Sequence, residues 1–246
     1  MAAENTCSAC SWSPERKKHC HYNSHIKIFY EASDRGSSNF EYRNYQFLSE
    51  NTSIPTPQIV DLWEEDNGSY FLLTIRIPGK PLNEACFSLS EAEKENIAKQ
   101  TADYLMQLRG IQLSQMEILD GKPLYSVFLF GGEFGEGNGP LTSDDELWNE
   151  ISQCLSDVPE EIRSKLRAQM PTATLNTFTH ATLPIGNGNV TGILDWEASG
   201  FYPVWWESAC PSLAYCQEDK EWKALLRKHM PDHTDGRNFW SNFRYL

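Results

Sequence analysis

Apolar and polar positions alternate over Ile26-Lys27-Ile28-Phe29-Tyr30, the period of two expected of a strand. The twenty-five residues before it show neither this alternation nor a helical repeat and read as a poorly packed leader, so order is expected from about Ile26. After the polar stretch Ser33 to Ser38, Glu41, Tyr45 and Leu48 fall on one face of a helix spanning Phe40 to Ser49. Pro55 and Pro57 end that helix and start an extended segment. Two apolar runs, Gln58 to Trp63 and Ser69 to Ile75, then flank Asp66-Asn67-Gly68; Asn-Gly between such runs predicts a hairpin, because both residues accept the positive φ of a tight turn.

The pattern changes period beyond Arg76-Ile77-Pro78-Gly79, which leaves the second hairpin strand as a linker. Ser88-Leu89-Ser90-Glu91 has the spacing of a capping box, and Ile97, Thr101, Tyr104, Leu105 and Leu108 form the inward stripe of a helix that Gly110 ends. Two more helices are expected over Asp144 to Leu155, opened by a cap at Ser143, and over Pro159 to Ala168; the first places Cys154 on an apolar, core-facing side. Five of the fifteen glycines lie between Gly131 and Gly139. A phosphate cradle sits between a strand and a helix, whereas this run enters Pro140, so it reads as a plain loop.

Composition narrows the partners. With 21 Lys+Arg against 34 Asp+Glu the net charge is −13, which excludes broad readout of a nucleic-acid backbone. No run of about 18 apolar residues predicts a membrane span. The seven cysteines are odd in number and unevenly spread, unlike a secreted disulfide framework, and point to a reducing, cytoplasmic setting. Cys7, Cys10, His19, Cys20 and His21 are possible zinc ligands, but the second group lacks a knuckle interval and an unstructured leader is the better reading. His229, Asp232 and His233 read as a solvated polar turn after Met230-Pro231. Trp196, Phe201, Tyr202, Trp205 and Trp206 suit core packing better than a cage for a cation.

The segment Phe178 to Glu207 holds most of the candidate chemistry. It runs Phe178-Thr179-His180-Ala181-Thr182-Leu183-Pro184-Ile185-Gly186-Asn187, then Val190-Thr191-Gly192-Ile193-Leu194-Asp195-Trp196-Glu197 and Gly200-Phe201-Tyr202-Pro203. This wording resembles that of fungal aminoglycoside phosphotransferase-like proteins: FTHGDLxPxN, VTGIIDWE and GxYP. Upstream, Thr52 to Pro57 resembles their TSIPVP stretch, Ile75 to Gly79 their ERIPG linker, and Glu91 to Arg109 the helix that ends in LRxI. The motifs occur in family order from about Ile26 to Glu207.

The resemblance implies an α+β, two-lobed protein-kinase-like fold: a small β-rich lobe at about 26–76, a linker at 77–80 and a mainly helical lobe at 81–246, with ATP between the lobes. Phosphoryl transfer depends on positioning and charge neutralisation more than on covalent help. Lys27 matches the lysine on the nucleotide phosphates and Glu41 the glutamate that pairs with it; an edge-strand Lys and a solvated Glu are the plain alternatives. Asp195 matches the Mg²⁺-binding aspartate and Asn187, seven residues after His180, the second metal ligand. Alternatively Asp195 caps a helix before Trp196, and Asn187 is a turn residue.

Three departures bear on activity. Thr182 stands where the family has its catalytic Asp, two residues after His180, and a hydroxyl cannot take the acceptor proton at neutral pH. Only Gly188 to Leu194 separate Asn187 from Asp195, so the hairpin between the metal ligands is truncated or replaced. No glycine precedes Gly36, and no phosphate-covering loop is recognisable before Lys27. The expected activity is ATP-dependent phosphorylation of a hydroxyl on a small-molecule acceptor, impaired at Thr182; the alternative is a catalytically inactive, pseudokinase-like binding or scaffold protein.

Overall fold

The computed structural model describes residues 19–22, 25–30, 40–64, 66, 70–79, 82–131, 137–173, 175–180, 185–187, 189–210 and 217–246. It begins with β1 (His19–Tyr22) and β2 (His25–Tyr30), continues through helix α1 (Phe40–Asn51), and returns as β3 (Ile59–Glu64) and β4 (Tyr70–Ile75). The four strands form an antiparallel sheet in the order β1-β2-β4-β3. β3 and β4 pair as the two strands the pattern predicts, with Leu62 opposite Leu72 and Glu64 opposite Tyr70, while Asn67 and Gly68 lie outside the described residues. Ordered structure starts earlier than the alternation suggests. β1 lies within the stretch read as a leader, at the sheet edge, where backbone pairing with β2 overrides a sequence without period-two patterning. Cys7 and Cys10 lie outside the described residues.

Helix α1 turns Glu41, Tyr45 and Leu48 inward, all nearly inaccessible to solvent. Tyr45 and Leu48 join Ile54, Leu72, Ile97, Leu105, Phe178, Ile193 and Trp196 in one hydrophobic core, so α1, the sheet and the later strands close over a shared interior. Short helix α2 (Leu82–Ala85) leads to α3 (Glu91–Arg109). The capping box at the start of α3 is shifted from its expected residues. Ser90 accepts the Glu93 N–H, while the Glu93 carboxylate accepts the Ser90 N–H at 2.8 Å. Ser88 instead donates to the Ala85 carbonyl at 2.9 Å and closes the turn before it. The buried face of α3 is Ile97, Ala98, Thr101, Ala102, Leu105 and Leu108, with Tyr104 at its margin.

The second half contains β5 (Gln112–Leu113), α4 (Val127–Phe130), α5 (Asp144–Ile151), α6 (Glu160–Arg167), β6 (Asn176–Thr179), β7 (Ile185–Asn187), β8 (Asn189–Gly192), β9 (Gly200–Pro203), α7 (Trp206–Ala209), α8 (Gln217–Lys228) and α9 (Thr234–Arg244). Strands β5, β6 and β9 form a small sheet in that order, and β7 and β8 form a separate hairpin. Ser143 caps α5 as expected, accepting the Glu146 N–H at 3.2 Å. Cys154 is exposed, contrary to the expected core placement: the buried stripe runs Leu147, Ile151, Leu155 at i+4 spacing and leaves Cys154 beside it. In the glycine-rich run, Asn138 bridges to Leu124 and Leu141 to Met116, while residues 132–136 lie outside the described set. His229 is tied to α3 through Glu95 at 2.7 Å.

The aromatic cluster is core. Trp196, Phe201, Tyr202, Trp205 and Trp206 are all buried. Trp205 meets Phe239 and Trp206 meets Trp240 edge to face, with centroids 5.7 and 4.8 Å apart. These four belong to a second hydrophobic core with Leu147, Ile151 and Leu129. Gly236 allows α9 to approach it, because a Cβ there would lie 2.7 Å from the Trp205 Cβ. Gly236→Ala should therefore destabilise the fold. Overpacking costs about 1–3 kcal/mol, more than the roughly 0.8–1 kcal/mol that helix propensity returns, and a lower urea midpoint is the expected measurement.

Candidate functional site

The segment leading to Asp195 is held on three sides. At its base, the Ile193 N–H donates to the Pro55 carbonyl at 2.9 Å, and the Trp196 indole N–H donates back to the Ile193 carbonyl at 2.8 Å. Asp195 itself is exposed and has φ 66° and ψ 52°, a left-handed conformation that a non-glycine residue adopts only against a steric cost. It precedes the 3-10 turn Trp196–Ala198 but makes no side-chain capping bond to it. The alternative of a structural helix cap therefore has no support in the geometry.

Helix α1 supplies the second side. The buried Asn44 amide donates to the Trp196 carbonyl at 2.6 Å. The Tyr45 hydroxyl donates to Glu41 Oε1 at 2.6 Å. Burial above all, then the charges of Glu41 and Asp195, holds the Tyr45 phenol well above its usual pKa. It thus remains a protonated donor at neutral pH. Glu41 is buried on α1, so the solvated reading of that residue is wrong.

His180 supplies the third side, at the exit of β6. Its Nε2 lies 2.7 Å from the Leu194 carbonyl oxygen, which requires that nitrogen to carry the proton. The ring meets Trp196 edge on, with centroids 4.3 Å apart. The His180 N–H donates to Glu207 Oε2 at 2.9 Å, and the Ser199 hydroxyl donates to the His180 carbonyl at 3.3 Å. The buried His180 therefore ties the exit of β6 to the segment that carries Asp195. Glu207 was missed as a site residue. Its one sequence signal is a carboxylate amid the aromatic run Trp205-Trp206, where burial requires hydrogen-bond partners.

The hairpin that carries Asn187 solves the spacing problem by borrowing residues from upstream. Asn187 is the last residue of β7 and stands opposite Asn189 of β8, so the candidate ligand lies inside the hairpin rather than before it. Helix α3 grips β8: Asn96 and Gln100 both donate to Asn189 Oδ1, at 3.1 and 3.0 Å, and the Val190 N–H donates to Gln100 Oε1 at 3.1 Å. The Thr191 hydroxyl donates to the Pro78 carbonyl at 2.8 Å, joining the hairpin to the linker. Lys27 stands within β2, opposite Leu73 of β4 and Cys20 of β1. Thr182 lies outside the described residues.

With this geometry in place, similarity to known proteins becomes specific. The pattern of the Phosphotransferase enzyme family (APH) matches residues 27–223. The chain belongs to this family. Among curated proteins, none matches it in sequence. Solved structures of aminoglycoside phosphotransferases share its fold. The streptomycin–ATP ternary complex of APH(2")-IIa has a TM-score of 0.57 and 16% identity over 92% of this chain and 82% of that one. A thermostable mutant of APH(4)-Ia in ternary complex with ADP and hygromycin B has a TM-score of 0.55 and 16% identity, over 89% and 75%. ADP-bound APH(2'')-Ib has a TM-score of 0.55 and 18% identity, over 89% and 78%. The phosphotransferase-family chain thus has the α+β, two-lobed protein-kinase-like fold that its motifs imply.

The left-handed backbone at Asp195 gives a direct prediction. Asp195→Gly, which accepts positive φ, should be more stable than Asp195→Ala by about 1–2 kcal/mol in urea unfolding. Equal stability of the two variants would mean that the residue is not held in this conformation.

Proposed function

We propose that this phosphotransferase-family protein binds ATP with Mg²⁺ and transfers the γ-phosphoryl group to a hydroxyl of a small-molecule acceptor, at a rate lowered by the loss of its base. The observation that carries this reading is the exposed, left-handed Asp195, whose next residue, Trp196, is bonded by Asn44 of α1, the helix that also buries Glu41. The nucleotide and antibiotic complexes of the structural relatives support the same substrate classes for this chain. ATP would lie between a β-rich lobe at 26–76 and a helical lobe at 81–246, joined by 77–80. The motif wording supports a fungal member of the family, and the cysteine usage supports a cytoplasmic setting.

Lys27 would bind the nucleotide phosphates, with Glu41 as its partner. Asp195 and Asn187 would hold Mg²⁺, which when bound supplies charge neutralisation at the phosphates. Their carboxylate and amide oxygens are the hard donors this cation prefers. Mg²⁺ typically takes one or two carboxylates and completes its shell with phosphates and water. The roles of His180 and Glu207 are to position the loop that leads to Thr182. At Thr182 the chain offers a neutral hydroxyl instead of a carboxylate, so the acceptor proton has no base on this residue.

Thr182 also favours a second reading, a non-catalytic binding or scaffold protein that keeps the nucleotide cleft. Calorimetric titration with ATP tests the cleft. Binding that strengthens with Mg²⁺, and loses that gain in Asp195→Ala, is the expected result; no binding by folded protein would refute both the nucleotide site and the enzyme reading. Thr182→Asp separates the two functions. If only the base is missing, phosphoryl transfer to water or to a screened acceptor should rise about 10²- to 10⁴-fold. No gain in a folded variant that still binds Mg²⁺-ATP would leave the scaffold reading standing.

A further inference from the structure

A two-stranded hairpin is marginally stable by itself, so its position is set by what the rest of the fold attaches to it. β7 and β8 are short, three and four residues, and their pairing shifts register between Ile185 and Asn187. The ladder alone therefore fixes Asn187 weakly. Its cross-strand partner, Asn189, is held from outside the hairpin. Strand β8 alternates exposed and buried positions, with Val190 and Gly192 turned inward and Asn189 and Thr191 outward. Each outward residue has a side-chain bond to another element.

Gln100 of α3 attaches at two points. Its amide nitrogen donates to Asn189 Oδ1 at 3.0 Å, and its amide oxygen accepts the Val190 N–H at 3.1 Å. A backbone N–H can only donate, which fixes the orientation of the Gln100 amide; that orientation makes Asn189 Oδ1 the acceptor. Asn96, one turn earlier on α3, donates to the same oxygen at 3.1 Å. Ile97 and Thr101, on either side of Gln100, are buried, so the clamp stands on a packed helix. Toward the linker, the Thr191 hydroxyl donates to the Pro78 carbonyl at 2.8 Å, and a Cβ on Gly192 would lie 2.0 Å from Ile77 Cδ1. The hairpin is thus pinned between α3 and the linker.

We infer that Gln100 is a positioning residue: its two-point clamp on Asn189 and Val190 sets the hairpin against α3 and, through the Asn187–Asn189 pair, sets the candidate metal ligand. The inference rests on the nucleotide reading above for the role of Asn187, and on the hydrogen bonds alone for the clamp.

Two variants of the full chain test it. Gln100→Met keeps the length and helix propensity of the side chain and removes both bonds. Gln100→Glu keeps an oxygen for the Val190 N–H. In the ligand-free protein, amide hydrogen exchange at Val190 should accelerate about three- to tenfold in Gln100→Met, the loss of one modest hydrogen bond, while Gln100→Glu retains the protection. In calorimetry, the ratio of ATP affinity with Mg²⁺ to that in EDTA should fall about three- to tenfold in Gln100→Met. General loosening of the cleft would lower both affinities together and leave the ratio as it was. Unchanged exchange at Val190 in Gln100→Met would overturn the clamp, as would an equal loss of protection in Gln100→Glu. An unchanged affinity ratio would overturn the positioning of Asn187. A uniform rise in exchange along α3 would also overturn it, because it would show general destabilisation. If the wild-type chain gains no ATP affinity from Mg²⁺, the nucleotide reading fails, and exchange at Val190 still decides whether Gln100 holds the hairpin.

Discussion

A non-glycine residue at positive φ must be held there by its surroundings, and much of the arrangement around Asp195 meets that requirement. Pro55 holds the segment that leads in at Ile193, His180 holds the Leu194 carbonyl, and Asn44 of α1 holds the Trp196 carbonyl just after the step. These contacts come from segments far apart in sequence. The turn is consequently a product of the assembled fold, and it brings α1, the strand exit at His180 and the Asp195 segment to a common place.

The site has an unequal division of support. Asp195 is held through backbone and side-chain bonds to buried residues, whereas the hairpin carrying Asn187 is gripped through exposed polar contacts from Asn96 and Gln100. Hydrogen bonds in buried surroundings are costly to break, because water does not replace the lost partner. Exposed ones exchange readily with solvent. The two candidate metal ligands thus belong to parts of the molecule with different resistance to local opening, the hairpin being the softer.

Much of the fold was legible because its signals are local. Asp66-Asn67-Gly68 between apolar runs marks a hairpin by turn chemistry alone, and the stripe from Ile97 to Leu108 marks a helix by spacing alone. The inward face Glu41, Tyr45, Leu48 was equally visible, though periodicity could not say that its polar members would bond to a turn 150 residues on. β1 was not legible, since its pairing is a property of the neighbouring edge and not of His19–Tyr22. Cys154 was misplaced because the i+4 stripe Leu147, Ile151, Leu155 fills the inward face and leaves the cysteine beside it. Of the candidate site, the motif order singled out Asp195 and His180. The Glu207 contact to His180 and the Asn44 bond to Trp196 became visible only once distant segments were brought together.

The described structure has two hydrophobic cores with no residue in common: one under α1, α3 and Asp195, the other built on Trp205, Trp206, Phe239 and Trp240. They are nevertheless joined by a polar link, because the His180 N–H donates to Glu207 on α7, next to Trp206. A loss of packing in the tryptophan-rich half is therefore expected to be felt at His180, although the two interiors share no side chain.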